Sequence, residues 1–165
     1  MTPALFLSYI KARKEHKVIT SLNEISGPGI YVLNGDISID SGSSPFNTAG
    51  NIVLISTGTV TVDRIAPSTT FTPVGTVAIV APTINFNSNL TEATGIFIGN
   101  TVSTGTDAAQ GLKIIGNLIA QTSFTNNRRW SDLNKPAIFI KFDQTKYINL
   151  LPYLSTANYQ WRQIR

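Results

Sequence analysis

The 165-residue chain contains no cysteine, which excludes a disulfide framework, thiolate chemistry and a cysteine-ligated metal centre. Histidine occurs once, as His16, so an imidazole-based zinc set is excluded too. His16 sits in a basic helical stretch without a Ser, Cys or acidic partner at a telling spacing, and reads as a surface residue. Charge is scarce: Asp, Glu, Lys and Arg make up 13% of the residues, where soluble domains carry about a quarter. Long apolar runs are missing as well. The opening MTPALFLSYIKARKEHK has an unbroken apolar run only from Ala4 to Leu7, too short for a membrane span of ~20 residues or a signal h-region of ~7–15. There is no catalytic-triad pattern and no Gly-rich phosphate loop leading into a helix.

What the chain has instead is Ser, Thr, Asn and Gly, with β-branched residues dominating the apolar set between Ile30 and Ile119. Such side chains are stiff at χ1 and pack well on a pleated sheet, so strands and turns are favoured over helices. The length suits one domain with a sizeable core. The net charge of +4 is unevenly placed: between Ser21 and Gly111 a single base, Arg64, stands against six acids. The bases at the two ends are scattered rather than packed in a run, so solvated charges on two end caps are expected and a nucleic-acid partner is not.

Pro3 to Lys17 reads as a short helix, with Thr2 as N-cap, Pro3 at the first helical position and Leu5, Phe6, Tyr9 and Ile10 at helical spacing. After the break at Gly27–Gly29 the sequence repeats itself: YVLNGDISID is echoed by LISTGTVTVD and AIVAPTINFN, and more loosely by FIGNTVSTG and KIIGNLIAQ. Each unit is a strand, a corner, a second strand and a polar loop. Superposing the first three units on their corners aligns Ile30, Val53 and Val77; Val32, Ile55 and Ile79; Ile37, Val60 and Ile84; and Ile39, Val62 and Phe86. Every column is apolar. Like residues stacked on like are what a solenoid core requires, whereas a sandwich needs only alternation. The expected fold is a short, single-stranded, right-handed parallel β-solenoid (β-helix), with an antiparallel β-sandwich as the alternative. The expected layout is a single domain: residues 1–28 an N-terminal helical cap, 29–125 the solenoid rungs, and 126–165 a C-terminal cap rich in aromatic and large aliphatic groups.

The order of a GIYVLNGDISI strand pair, shortened rungs, GLKIIGNLIAQ, then FIKFDQTKYINLLPYL and a closing YQWRQI resembles the C-terminal β-solenoid region of surface and pilus-associated proteins of uncultivated, small-genome bacteria. The resemblance spans Ile25 to Ile164. It implies an extracellular or cell-surface, non-enzymatic, stalk-like or adhesive component, with envelope proteins, appendage proteins or glycans as partners, and it brings no catalytic residues.

The acids offer little chemistry. In DISID, with Ile37 and Ile39 inward, Asp36 and Asp40 point outward ~13 Å apart along the strand, beyond the ~5–9.5 Å that glycosidase carboxylates need. Asp40 aligns with Asp63 one rung on and with Asn87 two rungs on. That column is the weak candidate for a metal site, with calcium as the cation, although no DxD or GGxGxD motif accompanies it. Arg64 beside Asp63 reads as a surface ion pair. Trp130, Tyr153, Tyr159 and Trp161 form a candidate glycan platform, against the simpler use of covering the solenoid end. The Ser/Thr/Asn-rich loops are expected to offer a neutral hydrogen-bonding surface.

Overall fold

The computed structural model describes residues 2–40, 45–46, 50–63, 70–105, 110–129 and 134–154. They form a parallel β-solenoid of about four turns, with a helix near each end of the chain. The strands are β1 (Lys17–Ile19), β2 (Gly29–Leu33), β3 (Ile37–Asp40), β4 (Ile52–Ser56), β5 (Thr59–Asp63), β6 (Thr70–Phe71), β7 (Val77–Phe86), β8 (Glu92–Thr104), β9 (Leu112–Asn126) and β10 (Ile138–Phe142). They build three ladders. The first stacks β1, β2 and β4, the start of β7, then the middles of β8 and β9. The second stacks β3, β5, the end of β7, then the ends of β8 and β9. The third joins β6, the starts of β8 and β9, and β10. Every pairing among the described residues is parallel, which a β-sandwich of antiparallel hairpins does not allow. The stack also extends past residues 29–125, beginning at β1 and including β10.

The second ladder has the register the sequence predicts: Ile37, Val60 and Ile84 align, as do Ile39, Val62 and Phe86. These residues point into the solenoid, where all but the partly buried Ile37 are fully enclosed. The first ladder departs from expectation twice. Ile30 meets Val53 and Val32 meets Ile55 as predicted, but the third turn is shifted by one residue, so Val53 meets Ala78 and Ile55 meets Val80. The corner of that turn is one residue shorter, with Pro82 standing where Thr57 and Gly58 stand in the turn before. Moreover, Ile30, Val32, Val53, Ile55, Ala78, Val80 and Ile96 belong to a cluster on the outer face of the ladder. The inward residues are their neighbours Tyr31, Leu33, Leu54, Ile79 and Phe97. A one-residue shift exchanges faces because side chains alternate along a strand.

That outer cluster is covered by helix α1 (Pro3–Arg13), through Ile10 with Phe6, Leu7 and Tyr9, and by helix α2 (Gln144–Leu154), through Leu150 with Tyr147, Tyr153 and Leu154. The helices therefore lie on the flank of the stack rather than over its ends. Thr2 caps α1, its Oγ1 accepting from the Leu5 N–H at 3.3 Å, and Asn149 of α2 donates to the Thr76 hydroxyl at 3.0 Å. The first turn is closed by β1 and the short 3-10 turn at Leu22–Glu24, with Leu22 and Ile25 packed on the inner core. Glu24 locks that turn: its carboxylate accepts from the Thr20 hydroxyl at 2.7 Å and from the Thr20 and Ser21 N–H groups. These bonds, the Thr20 hydroxyl first, hold its pKa below the usual carboxylate range.

Candidate functional site: a neutral hydroxyl face

The outward side of the second ladder follows from its alternation. In TVTVD, Val60 and Val62 are enclosed while Thr59, Thr61 and Asp63 are partly exposed. Stacking in register turns the outward residues into two columns: Ser38, Thr61, Asn85, Ser103 and Thr125 in one, and Thr59, Thr83, Thr101 and Ser123 in the other. Neighbours up a column are about 4.8 Å apart and the columns about 6.6 Å apart, the spacings of a parallel sheet. None of the nine positions is charged. Members of a column bond to each other, with the Ser103 hydroxyl donating to Asn85 Oδ1 at 2.6 Å and Ser123 to Thr101 at 3.2 Å. A shallow groove of about 340 Å³ follows the first column past Thr61, Asn85 and Ser103 to Asn87 and Gly105. A neutral polar surface thus lies on a sheet, where rigid backbone fixes its spacing; the loops expected to offer one lie largely outside the described residues.

The sequence-predicted acids fall at the edge of this face. Asp36 has a structural partner: its Oδ1 accepts from the Thr59 N–H of the next turn at 2.7 Å and satisfies a corner donor. The backbone of Asp40 lies opposite Asp63 in register, and Asn87 follows Phe86, the residue paired with Val62, its N–H meeting the Val62 carbonyl at 2.9 Å. Asn87 spends its carboxamide locally, Oδ1 accepting from the Asn89 N–H at 3.0 Å and from Ser88. Calcium takes six to eight oxygens, and among the described residues no group of three or more Asp, Glu, His or Cys side chains gathers. Of the aromatic platform, Trp130, Tyr159 and Trp161 lie outside the described residues, as does Arg64. Tyr153 packs against the outer apolar cluster and also lines a groove of about 730 Å³ with His16, Lys17, Pro28 and Tyr31.

One residue with no sequence signal stands out. Arg128 is buried beneath the corners where the second ladder gives way to the third, its guanidinium donating to the carbonyls of Asn87 and Leu90 at 2.6 Å each and of Gln110 at 3.3 Å. Burial lowers its pKa to about 10, so it stays charged at neutral pH. It staples loops from two successive turns. Arg128→Met keeps the bulk but strips three carbonyls of their donor, and is expected to cost about 2–4 kcal/mol, read as a lower urea midpoint at unchanged slope.

The fold and face define a class: a parallel β-solenoid with helices on its flank and a flat, uncharged hydroxyl array on one side. Comparison with protein-family models, curated proteins and solved structures finds no match to the chain. Among the described residues no helix is long and apolar enough to cross a membrane.

Proposed function

We propose that this chain is a non-enzymatic structural or adhesive module of a bacterial surface or pilus-associated protein, working outside the cell as a rigid solenoid that presents its hydroxyl face to neutral glycan or to a neighbouring envelope protein. The supporting observation is the pair of in-register Ser/Thr/Asn columns. Fixed neutral donors and acceptors can match the hydroxyls of a repeating saccharide at low ordering cost, because the sheet already holds them in place. Stacked turns transmit that geometry along the whole face.

The test is retention on insoluble neutral polysaccharides, cellulose and chitin, beside an anionic polymer as control. Retention by the neutral polymers is expected, and Thr83→Lys with Thr101→Lys is expected to weaken it about tenfold, roughly 1.4 kcal/mol, without lowering the melting temperature. No retention, or equal retention of native and variant protein, sinks the reading. A second reading, a polysaccharide-active enzyme on the same scaffold, draws on the Asp40–Asp63 register. It requires new reducing ends to appear on incubation, and their absence removes it.

A further inference from the structure

We propose that β10 and the groove beside it form a docking site for anionic lipid, seating the last turn of the solenoid on a negatively charged bilayer. The chain is electrically lopsided. Between Ser21 and Gly111 one base stands against six acids, but from Leu112 to Leu154 six bases stand against two acids. β10 runs through this basic part and ends the third ladder among the described residues. Its sequence, IFIKF, is apolar except for Lys141, yet four of its five residues are exposed. Phe139 is 51% exposed, Ile140 44% and Phe142 61%, and large apolar groups gathered on a surface mark an interaction site. Phe142, at the corner, meets Tyr147 of α2 with ring centroids 5.8 Å apart.

The groove, of about 550 Å³, is lined by Leu112, Pro136 and Phe139 together with Lys113 and Lys135. Register sets Phe139 beside Lys113, whose ammonium is held by Glu92 at 2.9 Å. Positive charge at this end therefore comes chiefly from the exposed Lys135 and Lys141 and the partly exposed Lys146. The one described acid between Lys135 and Leu154, Asp143, accepts from the Thr145 hydroxyl and N–H at 2.6 and 3.0 Å. Charge complementarity selects the occupant. A second copy docked by the same end would set lysine against lysine. A strongly acidic peptide would satisfy the lysines but leave the phenylalanines and the groove in water. An anionic lipid answers both: its acyl chain lies along Leu112, Pro136 and Phe139, and its phosphate meets lysines whose flexible stems span from apolar surface to charged layer. Aromatic groups beside lysine are how proteins lie on an anionic interface. The site stands on a different ladder from the hydroxyl face and does not rest on the glycan reading.

Co-sedimentation of the full chain with mixed phosphatidylglycerol and phosphatidylcholine vesicles tests this. Binding is expected, falling as salt is raised and far weaker on phosphatidylcholine alone. Phe139→Ser should weaken it at least ~tenfold, and Lys141→Gln roughly fivefold; the second variant keeps the test decisive should the first fail to fold. Lys11→Gln, the same change of charge on α1, should bind like the native chain. Four results overturn the proposal: no sedimentation with the anionic vesicles; equal binding to neutral ones; a folded Lys141→Gln protein that binds no more weakly than Lys11→Gln; and tighter retention on immobilised polyglutamate than on the vesicles, which would make an acidic protein the partner.

Discussion

Gly116→Ala is expected to leave little folded protein, with a stability loss of about 4 kcal/mol or more. Gly116 stands at the corner where the third ladder turns into the first, with φ of 132°, a region that side-chain-bearing residues enter at a cost of about 1–3 kcal/mol. Strain is the smaller part. A Cβ on Gly116 would lie 2.0 Å from the carbonyl oxygen of Gly95, the residue stacked on it in register. The obstacle is backbone in the ladder itself, so relief requires the two turns to separate and their strand pairing to break. Gly27 supplies the control, since a Cβ there meets nothing within 4 Å. Circular dichroism and urea unfolding of the two alanine variants should therefore diverge sharply, and a native-like midpoint for Gly116→Ala would refute this account of the corner.

Phe97→Ala is expected to cost about 3–5 kcal/mol. Phe97 is fully buried in the middle of a file of rings inside the solenoid, 5.0 Å from Phe86 edge to face and 6.5 Å from Phe71, which in turn meets Phe46 at 5.5 Å. Each such contact is worth about 0.5–1.5 kcal/mol beyond area burial. The strands around the file are fixed by their ladders and cannot close over the missing ring, which puts the cost toward the upper end. Phe97→Leu, retaining much of the volume, should lose less than half as much. Urea midpoints of the three proteins check the order; equal loss in both variants would mean that ring geometry, not volume, sets the cost.

The solenoid was legible because the second ladder alternates cleanly. TVTVD has one buried face and one wet face, and that contrast fixes both its register and its outward threonines. The first ladder lacks this contrast. IVLI and VAIVA are apolar throughout because helices cover the outside and the core fills the inside, and a strand buried on both faces carries no periodic mark of which side is which. The one-residue shift at Pro82 and the outward placement of Ile30 and Val32 were therefore hidden. The positions of α1 and α2 were hidden for the same reason, since an apolar helix face does not say whether it lies on an end or a flank. Of the candidate residues, the backbone pairing of Asp40 with Asp63 follows from counting from the corner. Asp36 is exposed, as its outward reading implies, but its bond to a backbone N–H one turn away left no mark, and Arg128 had no marker at all: its partners are main-chain carbonyls, which every residue possesses.

The flank helices have a mechanical consequence. A pull on the N-terminus reaches α1 before any rung, and α1 sits on the stack with Pro3 and Ile10 as its buried residues. Its contacts would yield one after another, as in peeling, whereas the rungs behind share load across many parallel strand bonds at once. In single-molecule stretching, the chain should release a short helix at low force and then resist abruptly; one simultaneous rupture would show that helix and rungs yield together. A module that hangs from a cell by this end would carry a soft first link ahead of a stiff rod.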